Sequence, residues 1–258
     1  MEMYDNENTV KKSFDNSHLP EEQVQAQWAE FIELKKVITE IYAAKHSPIS
    51  ILDIGIGNAR IAKHLFGIKE IWDMVGTYDG TDNAMACINI SNEIITALNI
   101  QDKVSVYFLD AMQLNEWKKK YDLIITTWFT AGNFYPGDFS FETYKESNIK
   151  LNLTENKKFQ SIFYNAHQLL NEGGEIVIGA CYIDNDNTRR KQEDFYTKMG
   201  MTVITSKEDS FTATKERFWS QRFTKEKLYH YLHFVPTDKI SFTPLDTYHY
   251  AMQVRIKK

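Results

Sequence analysis

Cysteine is scarce in this chain, with only Cys87 and Cys181 among 258 residues. Neither stands at a zinc-ligand spacing, and two thiols make no disulfide framework. The sequence therefore points to a reducing compartment, the cytoplasm, and to no metal site. No apolar run approaches the length that spans a bilayer. The start, Met1-Glu-Met-Tyr-Asp-Asn-Glu, lacks the apolar core of a signal peptide. Positive charge is not in excess either: the formal net charge is −5, which disfavours a nucleic-acid backbone as partner. The basic run Lys118–Lys120 is short and reads as a solvated turn. There is no Gly-x-Ser-x-Gly elbow, no Walker A loop and no His-Glu-x-x-His pair. A small molecule is the expected partner, and the length suits one large domain or one domain with insertions.

What is present begins at Ile51-Leu-Asp-Ile-Gly-Ile-Gly-Asn-Ala-Arg60. The apolar run breaks at glycines and resumes with helical spacing, which predicts strand, tight turn and helix. Gly55 and Gly57 permit φ > 0 and close approach of a ligand to the backbone. Asp53 sets a carboxylate beside the turn, and a helix opening near Asn58 offers free N–H groups to an anionic ligand. A nucleotide-like cofactor suits such a turn. The dinucleotide fingerprint wants a third small residue where Arg60 stands. The chain instead reads Asp53-x-Gly55-x-Gly57-x-Ala59.

That pattern resembles motif I of the class I S-adenosylmethionine (SAM)-dependent methyltransferases, with Ala59 for the last glycine, and four further landmarks follow in family order. Residues Ile71–Tyr78 read as a second strand ending in Asp79-Gly80-Thr81. The resemblance implies that Asp79 holds the ribose hydroxyls, with Gly80 beside it and Asp82 as the fallback carboxylate. Val104–Leu109 reads as a third strand ending in Asp110-Ala111-Met112. Asp110 is then either an adenine neighbour or a helix N-cap, and Met112 a wall for the ring. Tyr121–Thr127 is the fourth strand, and the resemblance puts the methyl-donor end near Thr127 and Trp128. Leu169–Gly174 and the strand Glu175–Tyr182 complete the series. The resemblance implies SAM as cofactor, S-adenosylhomocysteine as product, and cofactor contacts from Asp53, Gly55, Gly57, Ala59, Arg60, Asp79, Gly80, Asp110, Ala111, Met112, Thr127 and Trp128.

The expected fold is α/β: a seven-stranded, mostly parallel Rossmann-like sheet with helices on both faces and the last strand antiparallel. Residues 1–44 form an N-terminal segment and helix able to act as a lid, with Tyr4 and Phe14 as candidate contacts. The core spans 45–183, an insertion at 184–224 is placed to cap the substrate, and 225–258 supply a C-terminal helix and the final strand pair. The helix from Pro20 to about Ala44 carries Val24, Trp28, Phe31, Ile32, Leu34, Val37 and Ile38 as its apolar face. Aromatics crowd 131–153, as a satellite cluster or as a wall around the acceptor. Trp28, Asn133, Tyr135 and Trp219 are the candidate substrate contacts. Methyl transfer from a sulfonium needs orientation and exclusion of water. An oxygen acceptor usually needs a general base, whereas a neutral amine does not. No histidine sits in a catalytic motif, so no catalytic residue is named. The leading expectation is a methyltransferase acting on a small, amine-bearing metabolite. A non-catalytic SAM-binding subunit is the second reading, and an NAD(P)-dependent oxidoreductase, which Arg60 opposes, the third.

Overall fold

Strands that are apolar at consecutive positions, rather than alternate ones, are covered on both faces. Ile51 and Leu52, Leu123 and Ile124, and Ile176 and Val177 are such pairs, and each sends one side chain to either face of a single sheet. The computed structural model describes Val10, Lys11, Phe14 and residues 19–144, 151 and 153–258. Its strands are β1 (Ile49–Ile54), β2 (Val75–Asp82), β3 (Val104–Phe108), β4 (Tyr121–Thr126), β5 (Leu170–Tyr182), β6 (Phe211–Ala213), β7 (Trp219–Gln221), β8 (Ile240–Pro244) and β9 (Ala251–Lys257). Seven of them form one sheet in the order β3-β2-β1-β4-β5-β9-β8. The last strand, β9, runs antiparallel to β5 and β8, and the remaining pairs are parallel. This is the α/β architecture expected from the sequence.

Helices cover both faces. On one side α1 (Glu21–Lys45), α2 (Arg60–Phe66) and α3 (Met85–Leu98) bury Leu34, Ile38, Ile61, Leu65 and Ile95 against Ile51, Leu123 and Val177. On the other, α4 (Lys157–Gln168) brings Phe159 and Phe163 onto Leu52, Ile124 and Ile176. Two further helices, α5 (Asp186–Lys198) and α6 (Lys225–Tyr231), start on Asn185 and Thr224, whose side chains accept from backbone N–H groups of the first turn. Among the described residues no helix is long and apolar enough to cross a membrane.

Three strand starts differ from the sequence expectation, and one is that of β5, at Leu170 rather than Glu175. β2 begins at Val75, because Ile71 and Trp72 belong to a helical turn, Lys69–Trp72, that buries Trp72 edge-on to Phe66. A short apolar run does not by itself separate a helical turn from a strand. The strand correspondingly continues to Asp82: Thr81 O accepts from Gly55 N and Ile56 N, and Asp82 O from Leu109 N. In the insertion, Phe211–Ala213 pairs with Trp219–Gln221, and on its other side Val203 bridges to Thr214 while Ile204 N donates to Ala213 O. The hairpin turn has Arg217 at φ 66° with no glycine to announce it. The final strand starts at Ala251 rather than Tyr248, because the Asp246 carboxylate gathers the N–H groups of Tyr248, Tyr250 and Ala251 into a turn.

The hairpin and the aromatic stretch after β4 form one unit. Phe139, Phe141, Phe211 and Trp219 pack together, with Phe211 and Trp219 stacked at 3.9 Å. Arg222 anchors this unit: its buried guanidinium donates to Gln192 Oε1, Thr212 Oγ1 and the carbonyls of Asp209 and Phe211. Replacing Arg222 with Met would remove its hydrogen bonds to these buried acceptors, leaving Gln192 Oε1 only the Thr212 hydroxyl as donor. Arg222→Met should therefore lower the unfolding free energy by about 3 kcal/mol, read by chemical denaturation. A change below about 0.5 kcal/mol would show that the guanidinium is not structural.

Candidate active site

In open α/β sheets the crevice lies beyond the carboxyl ends of the strands, where the strand order reverses. Here that point is between β1 and β4, and a cavity of about 210 Å³ opens there. One wall is the turn after β1. Gly55 and Gly57 take φ 80° and 59°, and a Cβ on Gly57 would stand 2.8 Å from Phe14 Cζ. The opposite wall is the turn after β4, where Trp128 and Phe129 both adopt left-handed φ, 56° and 61°. Two successive bulky residues in that region are strained, so surrounding contacts must hold them.

Glu30 supplies the main one. It is fully buried on α1, and its Oε1 accepts from Trp128 N at 2.8 Å and from Ala180 N at 2.7 Å. Its Oε2 accepts from Arg60 at 2.6 Å, and the same guanidinium lies 5.3 Å from the centre of the Trp128 ring. Phe129 meanwhile stacks on Tyr182 at 3.7 Å. Arg60, where a dinucleotide fingerprint needs a small residue, is thus a fixed part of the wall.

The floor carries a carboxylate at the end of β2. Asp82 Oδ2 accepts from Gly57 N at 3.0 Å and Oδ1 from Ala84 N at 2.9 Å, and burial pushes its pKa up. At the end of β3, Asp110 lines the cavity with Ala111 while its Oδ1 caps the 3-10 turn Ala111–Glu116 through Met112 N. The roof is the cap hairpin, through Arg217, Phe218 and Trp219, with Asn133 and Tyr135 below it and Lys158 of α4 at the side.

Of the residues singled out in the sequence, Gly55, Gly57, Arg60, Asp110, Ala111, Thr127, Trp128, Asn133, Tyr135 and Trp219 line this cavity. Six do not. Asp79 lies inside β2 and is buried, bound to Tyr121 Oη at 2.6 Å and Lys119 Nζ at 2.5 Å. The strand end that should carry the ribose carboxylate is three residues further on, at Asp82. Gly80 lies beneath Ile56. Asp53 is buried under the turn and accepts from Tyr78 Oη at 2.5 Å. Ala59 is buried in the core at φ 54°, so the helix opens at Arg60 and not near Asn58. Met112 is 39% exposed and points elsewhere. Trp28 is 54% exposed and packs on His64 at 5.8 Å, away from the cavity. Of the proposed lid contacts, Phe14 lines the cavity, and Tyr4 lies outside the described residues. Glu30 was missed. Its signal was a carboxylate at helical spacing from Gln23 and Gln27, on the buried side of α1.

Comparison with solved structures finds the same architecture. The CcbJ methyltransferase from Streptomyces caelestis is 12% identical, with a TM-score of 0.58 over 98% of this chain and 97% of that one. A SAM-dependent methyltransferase from Clostridium acetobutylicum is 11% identical, with a TM-score of 0.55 over 90% of each chain. An O-methyltransferase family protein from Burkholderia thailandensis is 11% identical, with a TM-score of 0.54 over 88% of this chain and 55% of that one. The fold is that of the class I SAM-dependent methyltransferases. No family model matches the sequence, and no curated protein matches it. The class I fold thus stands on geometry, with the Gly55–Gly57 turn, Asp82 and the Trp128 turn at its crevice.

Asp53 generates a prediction. Burial raises its pKa to about 7 despite the Tyr78 hydrogen bond and the nearby Arg60. The folded pKa lies above the unfolded one, so the folded state binds the proton more tightly. That stability is complete below about pH 4 and is lost as pH rises towards about 7. Asp53→Asn keeps an acceptor for Tyr78 without the charge. Its stability relative to the parent should rise by up to about 1.4 kcal/mol per pH unit across that window. Parallel stability–pH curves from denaturant titrations would refute this.

Proposed function

We propose that this protein is a SAM-dependent methyltransferase acting on a small-molecule acceptor. One observation carries the reading: a single enclosed cavity joins the glycine turn, a strand-end carboxylate and the constrained turn after β4. The donor set suits the cofactor. Asp82, held by two backbone N–H groups, presents a carboxylate for the ribose hydroxyls, and Gly55 and Gly57 set bare backbone on the cavity wall for the chain that joins sugar to sulfonium. Leu109 to Ala111 wall the adenine end. Thr127 and Trp128 stand at the methyl-donor end, where aromatic faces favour a cation.

SAM supplies a methyl group already activated by its sulfonium charge. The residues here need only hold the acceptor at attack distance and keep water out. The aromatic packing of 131–144 with the β6–β7 hairpin over the cavity supports a small-molecule acceptor rather than a nucleic acid or a membrane surface. The two cysteines are buried and free, which agrees with a cytoplasmic setting.

Calorimetric titration with SAM, S-adenosylhomocysteine and NAD tests the reading. The two SAM-related ligands should bind and NAD should not. Asp82→Ala should weaken both by about 1.5–3 kcal/mol, roughly 10- to 150-fold. Asp79→Asn should leave both affinities within about twofold. Binding of NAD alone would overturn the proposal. Sensitivity at Asp79 with none at Asp82 would return the ribose to the buried position.

A further inference from the structure

Behind the Trp128 turn lies a second cavity, of about 50 Å³. It shares Phe14, Trp128, Asn133 and Phe218 with the main one, so the two meet at the end assigned to the donor methyl. Phe129, Tyr182, Phe195 and Tyr196 add aromatic walls, and Gln23 of α1 closes it. None of the described residues lining it is charged. Two carbonyl oxygens are left over there. Gln23 Oε1 and Asn133 Oδ1 are buried without a hydrogen-bond partner among the described residues, as is the lone Ser220 hydroxyl on the same wall, and Gln23 is only 3% exposed. Buried acceptors lacking donors are destabilising, and native structures hold few. Two of them on one small aromatic chamber call for a ligand that brings N–H or O–H groups.

We propose, on the methyltransferase reading above, that this chamber is the acceptor subsite and takes the head of a primary aliphatic amine. A carboxylate has no donor and would face two carbonyls. An alcohol has one O–H for two acceptors and needs a base to take its proton, yet no described lining residue carries a charge. A primary amine, which must leave its ammonium proton to water before it enters because no described lining residue is charged, then has two N–H bonds and one lone pair. Gln23 Oε1 and Asn133 Oδ1 accept the two N–H groups and so aim the remaining lone pair away from the amides. That lone pair forms the N–CH3 bond as the C–S bond of the sulfonium breaks, with the departing pair staying on sulfur. The nitrogen then carries the positive charge, keeps both hydrogen bonds and is stabilised by the surrounding π faces. It exchanges its proton with water after release. The small volume selects an unbranched aliphatic head over a ring.

The test uses the full chain saturated with S-adenosylhomocysteine, with n-butylamine, n-butanol and butyrate as probes in ligand-observed NMR titrations. Butylamine should bind at least about tenfold more tightly than either of the others. Gln23→Leu should weaken butylamine by about fivefold or more while holding S-adenosylhomocysteine affinity within about twofold, and Gln23→Glu, which keeps an acceptor, should restore amine binding. Equal affinity for the three probes, preference for butyrate, or unchanged amine binding in Gln23→Leu would each overturn the amine subsite. Failure of the parent protein to bind S-adenosylhomocysteine would overturn the methyltransferase reading itself, and the subsite with it.

Discussion

Glu30 is a carboxylate with no access to water, and three separate parts of the chain converge on it. Arg60 from the glycine turn neutralises it, while Trp128 N from beyond the end of β4 and Ala180 N from near the carboxyl end of β5 donate to one of its oxygens. A charge buried in this way is tolerable only when paired and hydrogen-bonded. The geometry is therefore specified from both sides: the carboxylate needs these donors, and the Trp128 turn needs the carboxylate to stay left-handed. Close approach is part of the arrangement. A Cβ on Gly179 would stand 2.1 Å from Glu30 Oε1, so that strand position must lack a side chain. Helix α1 is accordingly built into the crevice wall.

The carboxyl end of the sheet gathers three carboxyl groups, each handled differently. Asp53 is driven towards its neutral form by burial and tied to Tyr78. Glu30 is neutralised by Arg60. Asp82 is met by backbone N–H groups, those of Gly57 and Ala84 among them, and by the Cys87 thiol. Only Asp82 of the three lines the cavity, where Asp110 from the end of β3 is the other carboxylate on the wall. Had Asp53 or Glu30 faced the same space, mutual repulsion would have raised every pKa and blurred the site.

The glycine turn and the order of strands were legible because their signals are local. Consecutive apolar residues mark buried parallel strands, and closely spaced glycines mark a turn with positive φ. Asp79 was misplaced for a reason of the same kind. The apolar stretch from Ile71 to Tyr78 holds a helical turn and then a strand, and only tertiary contacts separate them. Moving the strand four residues along moved its end carboxylate to Asp82. Glu30 and Gln23 escaped because a polar residue on a helix is normally solvated; their burial depends on partners more than a hundred residues away, at Ala180 and Tyr182. Trp28 failed in the opposite direction, an apolar side chain left exposed because the helix turns its polar row inward.

The division between what was legible and what was not follows the division of labour in the fold. Residues that hold a cofactor common to many proteins must satisfy one geometry, so they repeat as short motifs. Residues that choose an acceptor answer to one molecule and are free to come from anywhere. On the proposed function they would come from 131–144 and the β6–β7 hairpin, whose aromatics meet only in the folded protein, with Phe139 packed edge-on to Trp219 at 4.6 Å. Arg222 holds the hairpin from beneath, Tyr135 and Trp219 face the cavity, and Phe218 faces both cavities. A specificity determinant built in this way leaves no spacing to read. It is recognised instead by what it leaves unsatisfied, and the unpaired oxygens of Gln23 and Asn133 are the clearest mark of that kind beside the donor end.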